Sequence, residues 1–237
     1  MGLPNSPVYA KGSAHFAQCE AGPFVLEAAS ILYAHRRAYL TCKRTFDILF
    51  SLLVLVFLSP LFFAIALAIK LDDPAGPVLF CQERVGKDGR RFCMYKFRSM
   101  VVGAEEELAC LVDMNEKAGP VFKMRDDPRV TRIGRVLRRH SLDELPQFVN
   151  VLKGDMSVVG PRPALPCEVV DYTPWQAQRL FVTPGLTCYW QASRHRDEIP
   201  FDEWVAMDLA YIERCSVLVD LKLIAKTVGA VLTAQGS

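Results

Sequence analysis

The 237-residue sequence has no cysteine pair at C-x-x-C spacing, although it holds eight cysteines, and its four histidines include no i, i+4 pair. Both absences argue against a zinc site. Scattered cysteines in a chain of this length are not a disulfide framework, and they read as free thiols, many of them buried, in a reducing cytoplasm. No repeat and no low-complexity tract is present. Neither sign of charge dominates, with 28 basic against 26 acidic residues and a net charge of +2, so bulk charge decides little. No apolar segment follows a short basic start, so the opening residues are not expected to act as a secretory signal peptide. A 51% hydrophobic content, 23% charged residues and 15 prolines exclude a disordered tail, a collagen and a coiled-coil rod.

What is present begins with a Gly- and Pro-punctuated stretch over residues 1–29, read as a loose extension, and a short helix predicted over Ser30–Leu40. From Ile48 to Ile69 there are 22 residues without a charge, and 16 of them are Leu, Ile, Val or Phe. As one straight helix this run would be about 33 Å long, against about 30 Å for a hydrocarbon core. A buried helix of a soluble domain would need a core on all sides, which a chain this size scarcely supplies. Ser59-Pro60 stands at its middle, where proline removes a hydrogen bond and kinks the axis. Arg36, Arg37, Lys43 and Arg44 precede the run, and Lys70, Arg84, Lys87, Arg90 and Arg91 follow it. The positive-inside rule therefore draws both ends to the cytoplasm, and the expectation is a re-entrant hairpin, with a spanning helix as the alternative.

Downstream, Val78–Val85 and Arg91–Arg98 flank Gly86-Lys-Asp-Gly89, a β-hairpin signature. Helices are predicted from Glu105 to about Glu116, over Arg129–Arg139, Asp143–Lys153, Phe201–Arg214 and Val217–Leu232. The apolar face of the last, with Val217, Leu218, Leu221, Ile224, Ala225, Val228 and Val231 or Leu232, is expected to face the core rather than a membrane surface. Lys123, Arg125, Arg129, Arg132, Arg135, Arg138 and Arg139 form a basic cluster, and steps of three place 129, 132, 135 and 138 near one helical face. Guanidinium forks match phosphate oxygens, although a solvated face or contact with anionic lipid explains the same pattern. Nucleic acid is disfavoured, because no recognition motif accompanies the cluster.

Next stands Ser141-Leu-Asp-Glu144-Leu-Pro-Gln147. Ser141 with Glu144 fits a capping box. The same residues place two carboxylates, Asp143 and Glu144, at a helix start beside a row of arginines, which suits Mg²⁺-assisted chemistry on a diphosphate. In Gly160-Pro-Arg-Pro163, proline on each side restricts Arg162 and pre-orients its guanidinium for an oxyanion. Trp190, Gln191, Arg194, His195 and Arg196 mix aromatic and cationic groups as a nucleobase or sugar site would.

The ordered set Ser59-Pro60, Gln82-Glu-Arg-Val-Gly86, Tyr95-Lys-Phe-Arg-Ser-Met100, Asp127-Pro-Arg-Val-Thr-Arg-Ile-Gly134, Ser141-Leu-Asp-Glu-Leu-Pro-Gln147, Leu152-Lys-Gly-Asp-Met-Ser157, Gly160-Pro-Arg-Pro163 and Pro184-Gly-Leu-Thr187 resembles the bacterial sugar transferases, the monotopic polyprenyl-phosphate phosphoglycosyl transferases. The resemblance runs from about Lys43 to the C-terminus. It implies transfer of a sugar 1-phosphate from a UDP-sugar to undecaprenyl phosphate, with release of UMP, at the cytoplasmic face of the bacterial inner membrane. It implies Asp143 as covalent nucleophile and Mg²⁺ ligand, with Glu144 and Arg138 as catalytic partners. Pro161, Arg162, Pro163, Lys96, Arg129, Gln191 and Arg196 are the implied substrate-binding residues, Arg196 by counting back from Phe201 with one residue inserted. The expected fold is α+β and mainly helical: an extension over 1–40, a re-entrant membrane helix over 41–71 broken at Ser59-Pro60, and a cytosolic catalytic domain over 72–237 with a β-hairpin and interfacial helices. A homo-oligomer is left open, as are the sugar and the glycan pathway.

Overall fold

The apolar run forms two helices rather than one, α1 (Arg37–Phe57) and α2 (Ser59–Asp72), bent by 60° at the break. Pro60 has no N–H to return to the Val56 carbonyl, and the Ser59 hydroxyl donates to that oxygen instead at 2.8 Å. The computed structural model describes residues 36–104, 106–107, 124, 127–193 and 199–232. The extension and the helix expected from Glu105 lie mostly or wholly outside these residues, and the described part of the Ser30–Leu40 helix is the start of α1. Among the described residues no single helix is long and apolar enough to cross a membrane, whereas the bent pair passes by combined length and composition. The pair exposes Leu49, Leu53, Val56, Phe57, Phe63 and Leu71, each by more than 60%.

Strands β1 (Leu79–Val85) and β2 (Arg91–Phe97) pair antiparallel with Leu79 opposite Phe97 and Val85 opposite Arg91. Asp88 and Gly89 turn the hairpin with φ of 56° and 75°, the positive pair that a tight I′ turn demands. This register brings Cys81 and Cys93 to a Cα separation of 5.4 Å, and they are joined in a disulfide. The expectation of free thiols holds for Cys42, Cys167, Cys188 and Cys215 and fails for this pair. The reason is that strand register, not sequence spacing, sets which cysteines meet.

The expected basic helix is shorter: α3 spans Arg132–Arg139, with the Thr131 hydroxyl accepting from Gly134 N at 2.9 Å. Arg129 precedes the helix, so it does not share a helical face with 132, 135 and 138. A 3₁₀ turn over Leu142–Glu144 then leads to α4 (Gln147–Lys153), which ends at Gly154 with φ of 91°. The predicted Asp143–Lys153 helix therefore starts four residues late. After α4 come β3 (Ser157–Val159), α5 (Pro166–Val170), α6 (Pro174–Ala177), β4 (Gly185–Thr187), α7 (Phe201–Arg214) and α8 (Val217–Leu232). Strands β3 and β4 pair in parallel, Ser157 with Gly185, and a Cβ on Gly185 would stand 2.0 Å from Gly160 N.

The main core joins Met94, Val151, Met156, Val158, Val159, Val182, Tyr211, Ile212 and Leu223. Helix α1 docks its polar end on this body. Arg44 donates to the carbonyls of Val151 and Leu152 at 2.6 and 2.7 Å, capping α4, and buried Asp47 accepts from Val158 N at 3.0 Å. Lys43 and Tyr39 both reach Asp220 at 2.9 Å. Helix α8 turns inward through Asp220 and Leu223, while Val217, Leu218, Leu221 and Val228 are exposed. The face expected in the core is thus only partly there: Ile224 packs against the main core, while Val217, Leu218, Leu221 and Val228 lie outward because Asp220 is drawn in by Lys43, Tyr39 and Tyr211.

Helix α4 is tied to the hairpin by Asn150, which is fully buried. Its amide donates to Cys93 O at 2.6 Å and accepts from Tyr95 N at 3.0 Å. Asn150→Leu would leave both strand groups without partners in the interior. The expected loss is about 2–4 kcal/mol, read as a lower midpoint of chemical denaturation for the solubilised protein.

Candidate active site

The second arm of the bent pair supplies a floor. Ile65 and Ile69 of α2 pack with Phe97 and Leu137, joined by Phe62, Ile133, Leu142 and Leu145. Leu137 adjoins Arg138, and Leu142 and Leu145 bracket Asp143 and Glu144, so the apolar packing sets where these polar groups sit. At the entrance to α3, Asp72 accepts from Ile133 N at 3.1 Å, which joins the end of α2 to the arginine helix. Gly134 faces the Ser99 backbone, where a Cβ would stand 2.0 Å from Ser99 O. That close approach brings Arg138 Nε to 3.2 Å from Ser99 Oγ.

Ser141 takes φ of 53° and makes no side-chain cap, which replaces the expected capping box with a left-handed corner. The turn after it buries Asp143 to 7% exposure and points Glu144 at Lys96 of β2, with Nζ to Oε1 at 3.0 Å. Among the described residues no side chain donates a hydrogen bond to Asp143. Burial raises its pKa above the usual carboxylate value, opposed by Lys96, aided by Glu144 and opposed again by Arg138. Its ionisation therefore works against folding. A pKa raised in the folded state gives stability present at acid pH and lost as pH rises through the raised value.

Arg162 forms a second group with Glu168 and Trp204. Its Nη1 lies 3.9 Å from Glu168 Oε1, and its guanidinium carbon lies 6.0 Å from the Trp204 ring centre. Pro161 and Pro163 on either side are buried. Trp204 stacks on Trp190 with centroids 4.1 Å apart. Gln191 accepts from the Cys188 thiol at 3.4 Å in the turn beside this pair. Buried Arg84 of β1 donates to Pro163 O at 3.0 Å, beside Arg162, and stands within electrostatic reach of Glu168 and Glu144. The structure thus brings together Lys96, Arg138, Asp143 and Glu144 in one cluster and Arg162 with the tryptophans in an adjoining one.

Arg129 belongs to neither. It is 5% exposed, bonded to Asp127 through Nε at 2.9 Å and Nη2 at 2.6 Å, and donates to Ala104 O at 2.8 Å. An arginine paired in this way ties down the 99–104 loop. Arg194, His195 and Arg196 lie outside the described residues.

A family model described as "Bacterial sugar transferase" matches residues 38–234. The chain belongs to the bacterial sugar transferase family. It is 42% identical over 203 residues to the galactosyl transferase CpsE of Streptococcus agalactiae, covering 86% of this chain and 45% of that protein. It is 41% identical over 199 residues to the undecaprenyl-phosphate galactose phosphotransferase of Salmonella typhimurium, covering 82% of this chain and 41% of the relative. With the exopolysaccharide production protein ExoY of Sinorhizobium fredii it shares 39% identity over 199 residues, which are 82% of this chain and 87% of that one. The chain therefore spans less than half the length of the first two relatives.

The carboxylates at this position, Asp143 and Glu144, are oxygen ligands of the type that Mg²⁺ takes. Among the described residues no group of three His, Cys, Asp or Glu side chains converges. Mg²⁺ takes one or two carboxylates and completes its shell with phosphate oxygens and water. Asp143 is buried without a side-chain donor, and Glu144 lies beside it with Lys96 attached. Sequence reading missed Arg84, Ser99, Glu168, Arg179 and Trp204 as parts of the site. Arg84 and Ser99 stood inside recognised motifs, but an arginine in a strand carries no sign of which way it points.

The opposed charges make a direct forecast for Asp143. Lys96→Met should raise its titration midpoint and Glu144→Gln should lower it. Carbon-13 NMR of the labelled Asp143 carboxyl reads both shifts, and equal midpoints in all three proteins would show that neighbouring charge does not set the value.

Proposed function

We propose that this chain transfers a sugar 1-phosphate from a UDP-sugar to undecaprenyl phosphate, releasing UMP, through a covalent phosphosugar on Asp143. The observation that carries the reading is a buried carboxylate without a side-chain donor among the described residues, beside Lys96, Arg138 and Glu144, on an apolar floor made by α2. In the first step an Asp143 oxygen attacks the phosphorus bonded to the sugar. The bond from that phosphorus to the bridging oxygen breaks, and UMP leaves with the electron pair. In the second step an oxygen of undecaprenyl phosphate attacks the same phosphorus, the acyl-phosphate bond breaks, and the Asp143 carboxylate is restored.

The residues share the work by position. Arg138 is held toward the reacting end by Ser99, where its charge offsets negative charge on the transferring group. Lys96 keeps Glu144 in place and favours the ionised form of Asp143. Arg162, with Trp204 behind it, takes a phosphate of the nucleotide. Mg²⁺ held by Asp143, with Glu144 beside it, would supply Lewis-acid stabilisation of phosphate oxygens. Burial at this position keeps water from the acyl-phosphate.

The bent helix pair is the membrane element in this reading. Its exposed apolar residues surround the bend, and both outer ends carry the cations that favour the cytoplasmic side of the bacterial inner membrane. The lipid substrate then arrives along α2, whose other face already touches Leu142 and Leu145. Relatives point the same way: one is an undecaprenyl-phosphate glucose phosphotransferase of Komagataeibacter xylinus, 42% identical over 196 residues. The reaction would open assembly of an exopolysaccharide, capsule, O-antigen or protein-linked glycan.

Asp143→Asn is the decisive variant. It keeps the shape of the turn and removes a buried negative charge, so it should fold at least as stably as the parent at neutral pH while losing nearly all transfer. The parent protein, given UDP-sugar and Mg²⁺ without polyprenyl phosphate, should gain one sugar phosphate on the peptide containing Asp143. Near-normal turnover by Asp143→Asn, or an adduct mapped to another residue, would refute the mechanism. Failure to release UMP from any UDP-sugar by folded protein would favour a non-catalytic anchor that uses its arginines on lipid headgroups.

Topology is tested separately. Cysteines placed at positions 71 and 37, in a variant lacking other reactive thiols, should both resist an impermeant reagent in intact cells. Labelling at one end alone would show a spanning helix. Pro60→Leu restores the missing hydrogen bond and should shift the chain toward that outcome.

A further inference from the structure

Arg162 is carried on a segment that supplies few donors of its own, because Pro161 and Pro163 lack N–H groups. Its successive carbonyls are instead captured by four different donors. Pro161 O accepts from Gly185 N at 2.8 Å, and Ala164 O accepts from Val85 N at 2.8 Å. Between them, Arg162 O accepts from Arg179 Nη2 at 3.3 Å and Pro163 O from Arg84 Nη1 at 3.0 Å.

The two arginines differ in how their charge is met. Arg179 is buried against the Asp208 carboxylate as an ion pair. Arg84 is 5% exposed, and among the described residues no carboxylate lies within ion-pair distance of it. Its remaining contact is the neutral Gln82 amide oxygen, 3.2 Å from Nε and 2.6 Å from Nη2. A buried guanidinium held by neutral oxygens is costly to the fold. Capturing one carbonyl does not require a charge, since a neutral donor would serve. Its Nη1 bond to the Pro163 carbonyl sets this charge one residue along the chain from Arg162, and Arg162, Glu168 and Glu144 are within its electrostatic reach.

The geometry points to Arg84 as a positioning residue for phosphate binding: it fixes the Pro163 carbonyl beside Arg162 and keeps there a cation with no ion-pair partner among the described residues, holding the Arg162 segment in place for an anionic diphosphate. This rests on the reading of Arg162 as the nucleotide-phosphate ligand. Burial, reinforced by Arg162 itself, lowers the Arg84 pKa to about 9, which leaves it cationic at neutral pH. Repulsion between the two arginines is relieved when an anion arrives in front of Arg162.

The test is UDP binding to the full chain in lipid nanodiscs with Mg²⁺, measured by calorimetry. Arg84→Gln should weaken UDP on the order of tenfold, and Arg84→Lys, which keeps the charge and one donor, should recover most of that loss. In an Arg162→Ala background Arg84→Gln should weaken UDP no further, because its effect passes through Arg162. A purely structural role would lower the unfolding temperature in both Arg84 variants without this dependence on Arg162. Unchanged UDP affinity in Arg84→Gln, or equal losses in both backgrounds, overturns the proposal while leaving the UDP-sugar reading intact. Absence of UDP binding by the parent protein overturns that reading itself. If Arg84→Gln does not fold, Gln82→Leu, which removes the amide aligning the guanidinium, decides in the same two backgrounds: it must weaken UDP only when Arg162 is present.

Discussion

Asp143 has to keep an ionisable carboxyl buried against an apolar floor, and much of the surrounding structure can be traced to that constraint. Burial alone pushes its pKa up, and Lys96 and Arg138 push it back. Each of those cations is itself held: Lys96 by Glu144, Arg138 by Ser99. The corner that turns Asp143 inward needs a left-handed Ser141, and the floor below it needs α2 pressed on Leu142 and Leu145. Because the floor belongs to the apolar helix pair, the position of the carboxylate and the position of that pair cannot be set independently.

The arginines divide by what neutralises them. Arg129 and Arg179 each face a buried carboxylate and serve as struts, one for the 99–104 loop and one for the Arg162 segment. Arg44 caps α4 through two carbonyls and so joins the apolar helix to the body. Arg138 and Arg162 retain looser partners, a serine hydroxyl and a carboxylate 3.9 Å away. Loosely held cations at the edge of a buried carboxylate are the ones that an incoming phosphate can engage without first breaking a strong ion pair.

Helix α1 is both an apolar rod and a structural strut, and the two roles occupy different lengths of it. Its first turns carry Tyr39, Lys43, Arg44 and Asp47, all bonded to the body, while Leu49, Leu53, Val56 and Phe57 stand free of it. Helix α2 returns at 60° and contributes Ile65 and Ile69 to the interior. The bend at Ser59-Pro60 therefore redirects the second arm so that its apolar surface lies beneath the site.

Elements with strong local causes were legible from the sequence. The helices Phe201–Arg214 and Val217–Leu232, the hairpin with its Asp88-Gly89 turn, and the break at Ser59-Pro60 all follow from periodicity, turn chemistry and the missing proline N–H. The ordered motifs likewise marked Asp143, Glu144, Arg138, Lys96 and Arg162, and the structure gathers these into two adjoining clusters. Other features depended on partners far away in the chain. Ser141 with Glu144 matches a capping box in sequence, yet Glu144 is drawn off by Lys96, 48 positions earlier. Arg129 reads in sequence as one of a helical row of cations, yet it precedes the helix and pairs with Asp127, and much of the apolar face of α8 lies outward because Asp220 is pulled in by Lys43 and Tyr39. Local propensity specifies what a segment can form, and which polar group meets which is settled only when distant segments compete for the same few buried partners.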